Sequence, residues 1–127
     1  MKAVVVTVSD RVSRGEAVDG SGPAAVAKLA EYGFVGAEIV VVPDGIDSVR
    51  DTLIGLIGAH NLVVTTGGTG FAQRDVTPEA TLMVIERAAP GLAEAMRAIN
   101  FGKVPHGMLG RGVAGIAGST MIIKLAG

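Results

Sequence analysis

The stretch 65–81, with the sequence TTGGTGFAQRDVTPEAT, combines residue types that could bind a phosphate and a metal ion. Three of its glycines fall within four positions. Glycines let a backbone approach an anion closely with its N–H groups turned inward, and threonine hydroxyls add donors. We therefore predict a phosphate-binding loop, called the glycine loop, although a tight strand-to-helix turn could also use two of the glycines. The residues of the glycine loop are Thr66, Gly67, Gly68, Thr69 and Gly70.

Two aspartates are candidate magnesium ligands. Asp75 lies five residues after the last glycine of the loop, and Asp44 follows a second apolar run. Magnesium bound with a nucleotide needs only one or two carboxylates, because phosphates and water supply its other ligands. Each aspartate also has a structural interpretation, Asp75 as a capping residue and Asp44 as the turn residue of Pro-Asp-Gly. Arg74 is expected either to contact a phosphate or to pair with a carboxylate.

Polar residues also follow the first apolar run of the chain. Ser9, Asp10 and Arg11 come directly after the sequence AVVVTV. We predict that Ser9 and Asp10 contribute to the same site. The alternative is that Asp10 and Arg11 pair with each other or order the segment behind them. That segment, 12–22, is either a solvated connector or a ligand-binding loop.

The apolar patterning predicts an α/β fold that brings these residues together. Short β-branched runs alternate with helix-like segments, which is typical of a mostly parallel sheet with helices on its faces. In such a sheet, ligands bind outside the carboxyl ends of the strands, so the polar residues are expected to share one rim. The predicted strands are 3–8, 37–42, 62–66, 113–116 and 120–125, the last two as a hairpin. The predicted helices are 23–32, one capped by Asp47 or Ser48, 77–88 capped by Thr77 with Pro78 first, and 92–101.

The amino-acid composition of the chain excludes several classes of protein. A chain of 127 residues predicts one domain over 1–127. The net charge of −1 without a basic run argues against nucleic-acid binding, and the lack of cysteine excludes disulfides and thiolate metal sites. No signal pattern and no apolar run of about 20 residues is present, so we expect a cytoplasmic protein without a membrane span. His60 and His106 are isolated and match no metal-ligand spacing.

Taken together, these motifs resemble the Mog/MoaB-type molybdopterin-binding proteins. The resemblance covers nearly the whole chain, and the glycine loop followed by RDVTPEA is its most specific part. The matching segments are Val8-Ser9-Asp10-Arg11, Pro43-Asp44, 65–70, 74–80, Pro90-Gly91 and 111–115.

The resemblance implies a three-layer α/β/α fold, commonly trimeric, and a role in molybdenum cofactor assembly. The implied reaction joins molybdopterin to the adenylyl group of ATP, with Mg²⁺ as cofactor and pyrophosphate as product. Asp44 and Asp75 match the two functional aspartates of the family. The glycine loop matches its phosphate loop, and Ser9 and Asp10 match its first-strand motif. Contacts with other proteins of cofactor assembly are also implied.

The family pattern differs from this sequence at the carboxyl end. It continues with Leu-Pro-Gly-Ser-Pro and a helix, whereas the sequence here reads Leu125-Ala126-Gly127. This difference keeps a second hypothesis open, a non-catalytic module that binds or carries molybdopterin. Retention of both aspartates favours the enzyme.

Overall fold

The computed structural model describes residues 1–68, 73–91 and 111–125. Ten helices and strands lie in these ranges. In chain order they are β1 (Ala3–Val8), α1 (Asp10–Ser13), α2 (Ser21–Glu31), β2 (Glu38–Val42), α3 (Ile46–Leu56), β3 (Leu62–Thr66), α4 (Thr77–Val84), β4 (Arg87–Ala88), β5 (Val113–Ala117) and β6 (Thr120–Lys124).

The strands form one mixed sheet in the order β2-β1-β3-β6-β5-β4. The first four of these strands are parallel, while β5 and β4 run antiparallel to their neighbours. The prediction of a mostly parallel sheet is confirmed, and so is the hairpin formed by β5 and β6. The central strand β1 consists almost entirely of β-branched and apolar residues and is buried along its whole length, as expected of a parallel strand covered on both faces.

Alternate residues of β1 point to the two faces of the sheet. Val4, Val6 and Val8 pack into one core with Val49 and Leu53 of α3 and Ala80 of α4. On the other face, the hydroxyl of Thr7 bonds to Asp19, directly ahead of α2. Helices therefore lie on both faces of the sheet, and the three-layer α/β/α architecture is confirmed.

The prediction that the helix after the glycine loop runs to residue 88 is wrong. Helix α4 ends at Val84, and Arg87 and Ala88 instead pair with β5. Gly115 of β5 permits this close approach, because a Cβ there would lie 2.4 Å from Cγ2 of Ile85 and 2.7 Å from the carbonyl oxygen of Arg87. Sheet pairing has overridden the local helical pattern.

Three predicted helix starts are also corrected. Val76, not Thr77, is the N-cap residue of α4, and Gly45 is that of α3. Neither Asp47 nor Ser48 caps α3, since the hydroxyl of Ser48 donates to the carbonyls of Pro43 and Gly45 instead. Helix α2 begins at Ser21, two residues before the predicted start, and α1 extends two residues into the segment 12–22, which was predicted to be either a connector or a ligand-binding loop.

Several predictions concern residues outside the described ranges. These are the helix over 92–101, His106, and Thr69 and Gly70 of the glycine loop. Within the described ranges, no helix is long and apolar enough to cross a membrane.

Candidate functional site

The predicted site residues gather at the carboxyl ends of three adjacent parallel strands. Thr7 of β1 is in register with Val41 of β2 and with Thr66 of β3. The residues that follow these strands therefore emerge along one rim, and the predicted convergence of Asp10, Asp44 and the glycine loop is present in the structure.

Asp10 and Asp44 bind each other's backbone at this rim. The backbone N–H of Asp10 donates to Oδ2 of Asp44 at 3.0 Å, and that of Asp44 donates to Oδ1 of Asp10 at 3.1 Å. Arg74 closes the arrangement: Nε donates to Oδ2 of Asp10 at 2.7 Å, and Nη2 donates to Oδ1 of Asp10 at 3.0 Å and to the carbonyl of Asp44 at 2.7 Å. A bidentate contact of this kind fixes the relative orientation of the guanidinium and the carboxylate, in addition to pairing their charges.

These contacts bear on two open alternatives. Arg74 pairs with the carboxylate of Asp10, and no ion pair joins Asp10 to Arg11 in the described ranges. A contact of Arg74 with a phosphate stays a prediction. Ser9 has a local use, since it is the N-cap of α1 and its Oγ accepts from the N–H of Val12 at 3.2 Å. The structure therefore gives Ser9 a capping contact within the rim.

The two carboxyl groups differ in their electrostatics. The hydrogen bond from Arg74 lowers the pKa of Asp10. Burial raises the pKa of Asp44, and the nearby charges of Asp10 and Asp75 raise it further. Oδ1 of Asp44 is buried and has no hydrogen-bond partner in the described parts of the chain. A buried carboxylate oxygen without a donor is costly unless a ligand or ion completes it.

The described part of the glycine loop packs directly against β1 and α4. Gly67 and Gly68 have φ of 88° and 64°, which favour glycine. A Cβ on Gly67 would lie 2.1 Å from the carbonyl oxygen of Val8, and one on Gly68 would lie 2.0 Å from Oγ1 of Thr77 and 3.1 Å from Oδ1 of Asp44. The turn itself thus requires both glycines, and their role in phosphate binding stays a prediction.

Sequence reasoning missed the contribution of the connector before α2. Asp19 accepts from the hydroxyl of Thr7 at 2.8 Å and from the N–H of Gly22 at 2.9 Å. The hydroxyls of Ser21 and Thr66 lie 2.8 Å apart, so Ser21 joins the rim. The run Asp-Gly-Ser-Gly-Pro carried a signal, since polar residues just before a helix commonly satisfy its free N–H groups.

Asp75 is held at the start of α4 by a residue from a distant part of the chain. Its carbonyl accepts from Nη2 of Arg111 at 3.1 Å, and the same guanidinium pairs with the carboxylate of Glu79. In the described ranges, no group of three His, Cys, Asp or Glu side chains could hold a metal ion. A cation here would therefore depend on Asp44 and Asp75 together with ligand oxygens.

A cleft of about 520 Å³ opens beside Asp44, between the β2–α3 turn and the residues ahead of α4. It is lined by 43–48, Gln73, Arg74 and Val76. The cleft is large enough for part of a nucleotide or pterin.

Comparison with known proteins gives a consistent result. Residues 4–127 match the model of the probable molybdopterin binding domain family. The molybdopterin adenylyltransferase of Helicobacter pylori strain J99 is 42% identical over 127 residues, which cover 97% of this chain and 72% of that protein. Gephyrin of Dictyostelium discoideum is 40% identical, and the match spans 97% of this chain but only 19% of that protein.

Solved structures show similarity to the same family. The crystal structure of a molybdopterin biosynthesis protein from Mycobacterium abscessus superimposes with a TM-score of 0.92 and is 43% identical, covering 99% of this chain and 80% of that one. The chain therefore belongs to the molybdopterin-binding family that its glycine loop and RDVTPEA motif resemble.

Proposed function

We propose that this protein acts in molybdenum cofactor biosynthesis by transferring the adenylyl group of ATP to molybdopterin, with release of pyrophosphate. The observation that carries the proposal is the rim itself. It offers a half-buried aspartate, Asp44, whose buried Oδ1 has no partner in the described ranges, beside a glycine loop, in a chain 42% identical to a protein named molybdopterin adenylyltransferase.

Asp44 and Asp75 are the residues that would hold Mg²⁺. The fit rests on the unpartnered Oδ1 of Asp44 and on the closeness of Asp75, whose charge raises the pKa of Asp44. Hard carboxylate oxygens are the ligands that Mg²⁺ prefers, and two of them suffice where phosphates and water complete the shell. Bound Mg²⁺ would neutralise charge on the ATP phosphates.

The chain's own residues act mainly by positioning. The rigid Asp10–Arg74 pair holds the backbone of Asp44, so its carboxylate keeps one orientation. Backbone N–H groups of the glycine loop would hold a phosphate. The terminal phosphate oxygen of molybdopterin forms a bond to the α-phosphorus of ATP as the bond from that phosphorus to the bridging oxygen breaks. Alignment and electrostatic stabilisation are the principal contributions a protein makes to such a transfer.

Replacement of Asp75 by Asn tests this function. We expect adenylylation to fall below detection while molybdopterin binding stays close to wild type, because the change removes a charge without removing volume. The measurement is formation of adenylyl-molybdopterin from molybdopterin, ATP and Mg²⁺. Asp51→Asn is the matched control, because Asp51 is an exposed acid on α3 that pairs only locally with Arg50.

Full turnover by Asp75→Asn would reject the proposed metal role. If wild-type protein binds molybdopterin but forms no adenylylated product with ATP and Mg²⁺, the carrier hypothesis is the correct one. The two outcomes are distinguishable because binding and turnover are measured separately.

We also propose a cytoplasmic homotrimer built from one domain over 1–127, with contacts to other proteins of cofactor assembly. Large apolar side chains such as Val18, Val35 and Tyr32 are highly exposed in the single chain, which supports association. Size-exclusion chromatography with light scattering gives the subunit number directly, and a monomer at micromolar concentration would contradict the trimer.

A further inference from the structure

Lys124, the last residue of β6, is fully buried. Its relative exposure is 0%, and it is among the largest side chains removed from solvent. It lies on the same face of the sheet as Ile122, which belongs to the core beneath α3 and α4. A buried ammonium group is strongly unfavourable unless an anion and hydrogen-bond acceptors compensate for the lost hydration.

The described parts of the chain do not supply that anion. Nζ of Lys124 donates to the carbonyl oxygen of the adjacent Leu125, and no ion pair within 4 Å is made to any described acid. Glu79 is the acid whose charge acts on the amine, but its carboxylate is already bound by Arg111. Lys124 thus brings a positive charge that Glu79, already bound by Arg111, does not pair within the described ranges.

This charge lies at the rim described above. Lys124 is in register with Thr65 of β3, one residue before the glycine loop begins at Thr66. Both side chains project from the same face of adjacent parallel strands. Oγ1 of Thr65 is buried and has no hydrogen-bond partner in the described ranges. Within the described ranges, an amine without a counter-ion and an unpartnered hydroxyl therefore belong to residues in register on adjacent strands, just before the glycine loop.

We propose that Lys124 binds a phosphate group of the substrates or the pyrophosphate product. The proposal extends the function proposed above, because it adds a residue to that same site. The flexible four-carbon stem of lysine allows Nζ to leave the carbonyl of Leu125 for a phosphate oxygen. The unpartnered hydroxyl of Thr65 adds a donor for the same group.

The electrostatics agree with this role. Burial and, to a smaller extent, the charge of Arg111 lower the pKa of Lys124 to about 7, while the charge of Glu79 opposes the change. A phosphate beside the amine would favour its charged form and raise that pKa. The bound anion would supply the compensation that the described parts of the chain do not provide.

The test compares Lys124→Met with wild type, because methionine keeps the length of the side chain and removes its charge. We expect the dissociation constant for inorganic pyrophosphate, measured by calorimetry, to rise about tenfold. Thermal stability without ligand should be equal to or above that of wild type, since a buried charge has been removed. A purely structural lysine would give the opposite result, lower stability and unchanged affinity, and that outcome overturns the proposal.

Lys28→Met is the control variant, because Lys28 is exposed on α2 and pairs only with Glu31. Parallel titrations with inorganic phosphate separate the two sources of the anion. A loss confined to pyrophosphate assigns Lys124 to the ATP phosphates, and an equal loss for both anions assigns it to a single phosphate such as that of molybdopterin.

A measurement on the wild-type protein covers the case in which Lys124→Met does not fold. The pKa of the Lys124 amine, followed by NMR, should rise when pyrophosphate is added, and an unchanged pKa overturns the proposal.

The experiments distinguish a failure of the proposed function from a failure of the proposed role of Lys124. Wild-type affinity and KM in Lys124→Met would reject the role of Lys124 alone, whereas weakened pyrophosphate binding without any adenylylation would reject the function alone.

Discussion

Arg74 is the residue through which the ends of β1 and β2 act as one unit. Its guanidinium reaches the carboxylate of Asp10 and the backbone of Asp44 with three hydrogen bonds, although 64% of the side chain is exposed. An exposed ion pair contributes about 1 kcal/mol or less to stability. The contact therefore matters more for the geometry of Asp44 than for the fold.

Replacement of Arg74 by Lys should separate the effect of this contact on the geometry of Asp44 from its effect on stability. Lysine keeps the charge but cannot reproduce the planar, bidentate contact. We expect unfolding free energy to fall by at most about 1 kcal/mol, while the KM for Mg-ATP rises several-fold as Asp44 loses its fixed orientation. Arg50→Lys on α3, where the arginine pairs with Asp47 and Asp51, is the control. A stability loss with unchanged KM would assign Arg74 a structural role only.

Gly68 provides a second prediction at this scale. A Cβ there would fall 2.0 Å from Oγ1 of Thr77 and 3.1 Å from Oδ1 of Asp44, at a φ of 64°. Gly68→Ala should therefore displace the start of α4 and the proposed Mg²⁺ ligand together, lowering both the melting temperature and Mn²⁺ affinity measured by EPR. Gly55→Ala meets no atom within 4 Å on helix α3 and should leave Mn²⁺ affinity unchanged. Wild-type affinity in Gly68→Ala would separate this turn from the metal site.

The positions of the site residues could be predicted from the sequence where those residues belong to a local motif. Asp44, Arg74 and the glycines stand in short polar runs after apolar strands, so their position at strand ends could be predicted. Lys124 carries no such mark, because a lysine at the end of a β-branched run is usually solvated. Its burial arises from pairing with β3, nearly sixty residues earlier in the chain, and from the helix packed above it.

At the scale of elements, strand positions were predicted more accurately than helix ends. The runs at β1 and β3 match the predicted ranges because β-branched, fully apolar segments favour buried parallel strands. Helix α4 was predicted four residues too long, since residues 85–88 are compatible with a helix and only the partner strand β5 makes them extended. Non-local pairing of this kind leaves no periodic trace in the sequence.

The connector between α1 and α2 is more rigid than its glycine-rich composition indicated. Asp19 binds Thr7 on β1 and the first turn of α2, and Ser21 binds Thr66 on β3. Asp19 thus ties the connector to β1 and α2, and Ser21 ties the start of α2 to β3. These contacts hold the end of the segment 12–22, expected to be either a solvated connector or a ligand-binding loop, against the rim.

Replacement of Asp19 by Ala should destabilise the protein by about 2 kcal/mol, because the nearly buried hydroxyl of Thr7 loses its partner. Urea unfolding measures the change. A double-mutant cycle with Thr7→Val isolates the pair, and we expect Thr7→Val to reduce the cost of losing Asp19. Equal costs of Asp19→Ala in both backgrounds would show that the hydrogen bond to Thr7 contributes nothing.

For the whole molecule, the alternation of elements predicted a mostly parallel sheet but not the order of its strands. The order places β1 between β2 and β3 and puts β6 beside β3. All four parallel strands consequently end at one rim, and a lysine from the end of the described chain lies beside a threonine from its middle. The position of Lys124 at this rim is thus a property of the topology, not of any one motif.

That buried charge predicts how stability depends on pH. Lys124 has a pKa of about 7 in the folded chain against 10.5 for a free lysine, so between those values the unfolded state binds a proton that the folded state lacks. Unfolding free energy should therefore rise with pH across this window, whereas below pH 7 both states are protonated and the full cost of burying the charge remains. Glu79 and Arg111 face the amine from α4 and from ahead of β5, while β3 contributes uncharged Thr65 and β5 uncharged Val113.

The variant Lys124→Met isolates this contribution, because Glu79, Arg111 and every other titrating group are common to both proteins. Its stability advantage over wild type should be greatest at or below pH 7 and should shrink steadily as the pH approaches 10.5. Urea unfolding at several pH values gives the difference directly. An advantage that does not change with pH would mean that the lysine is already neutral, or already compensated, in the folded chain. Saturating pyrophosphate should flatten the same curve, since a bound anion keeps the amine charged.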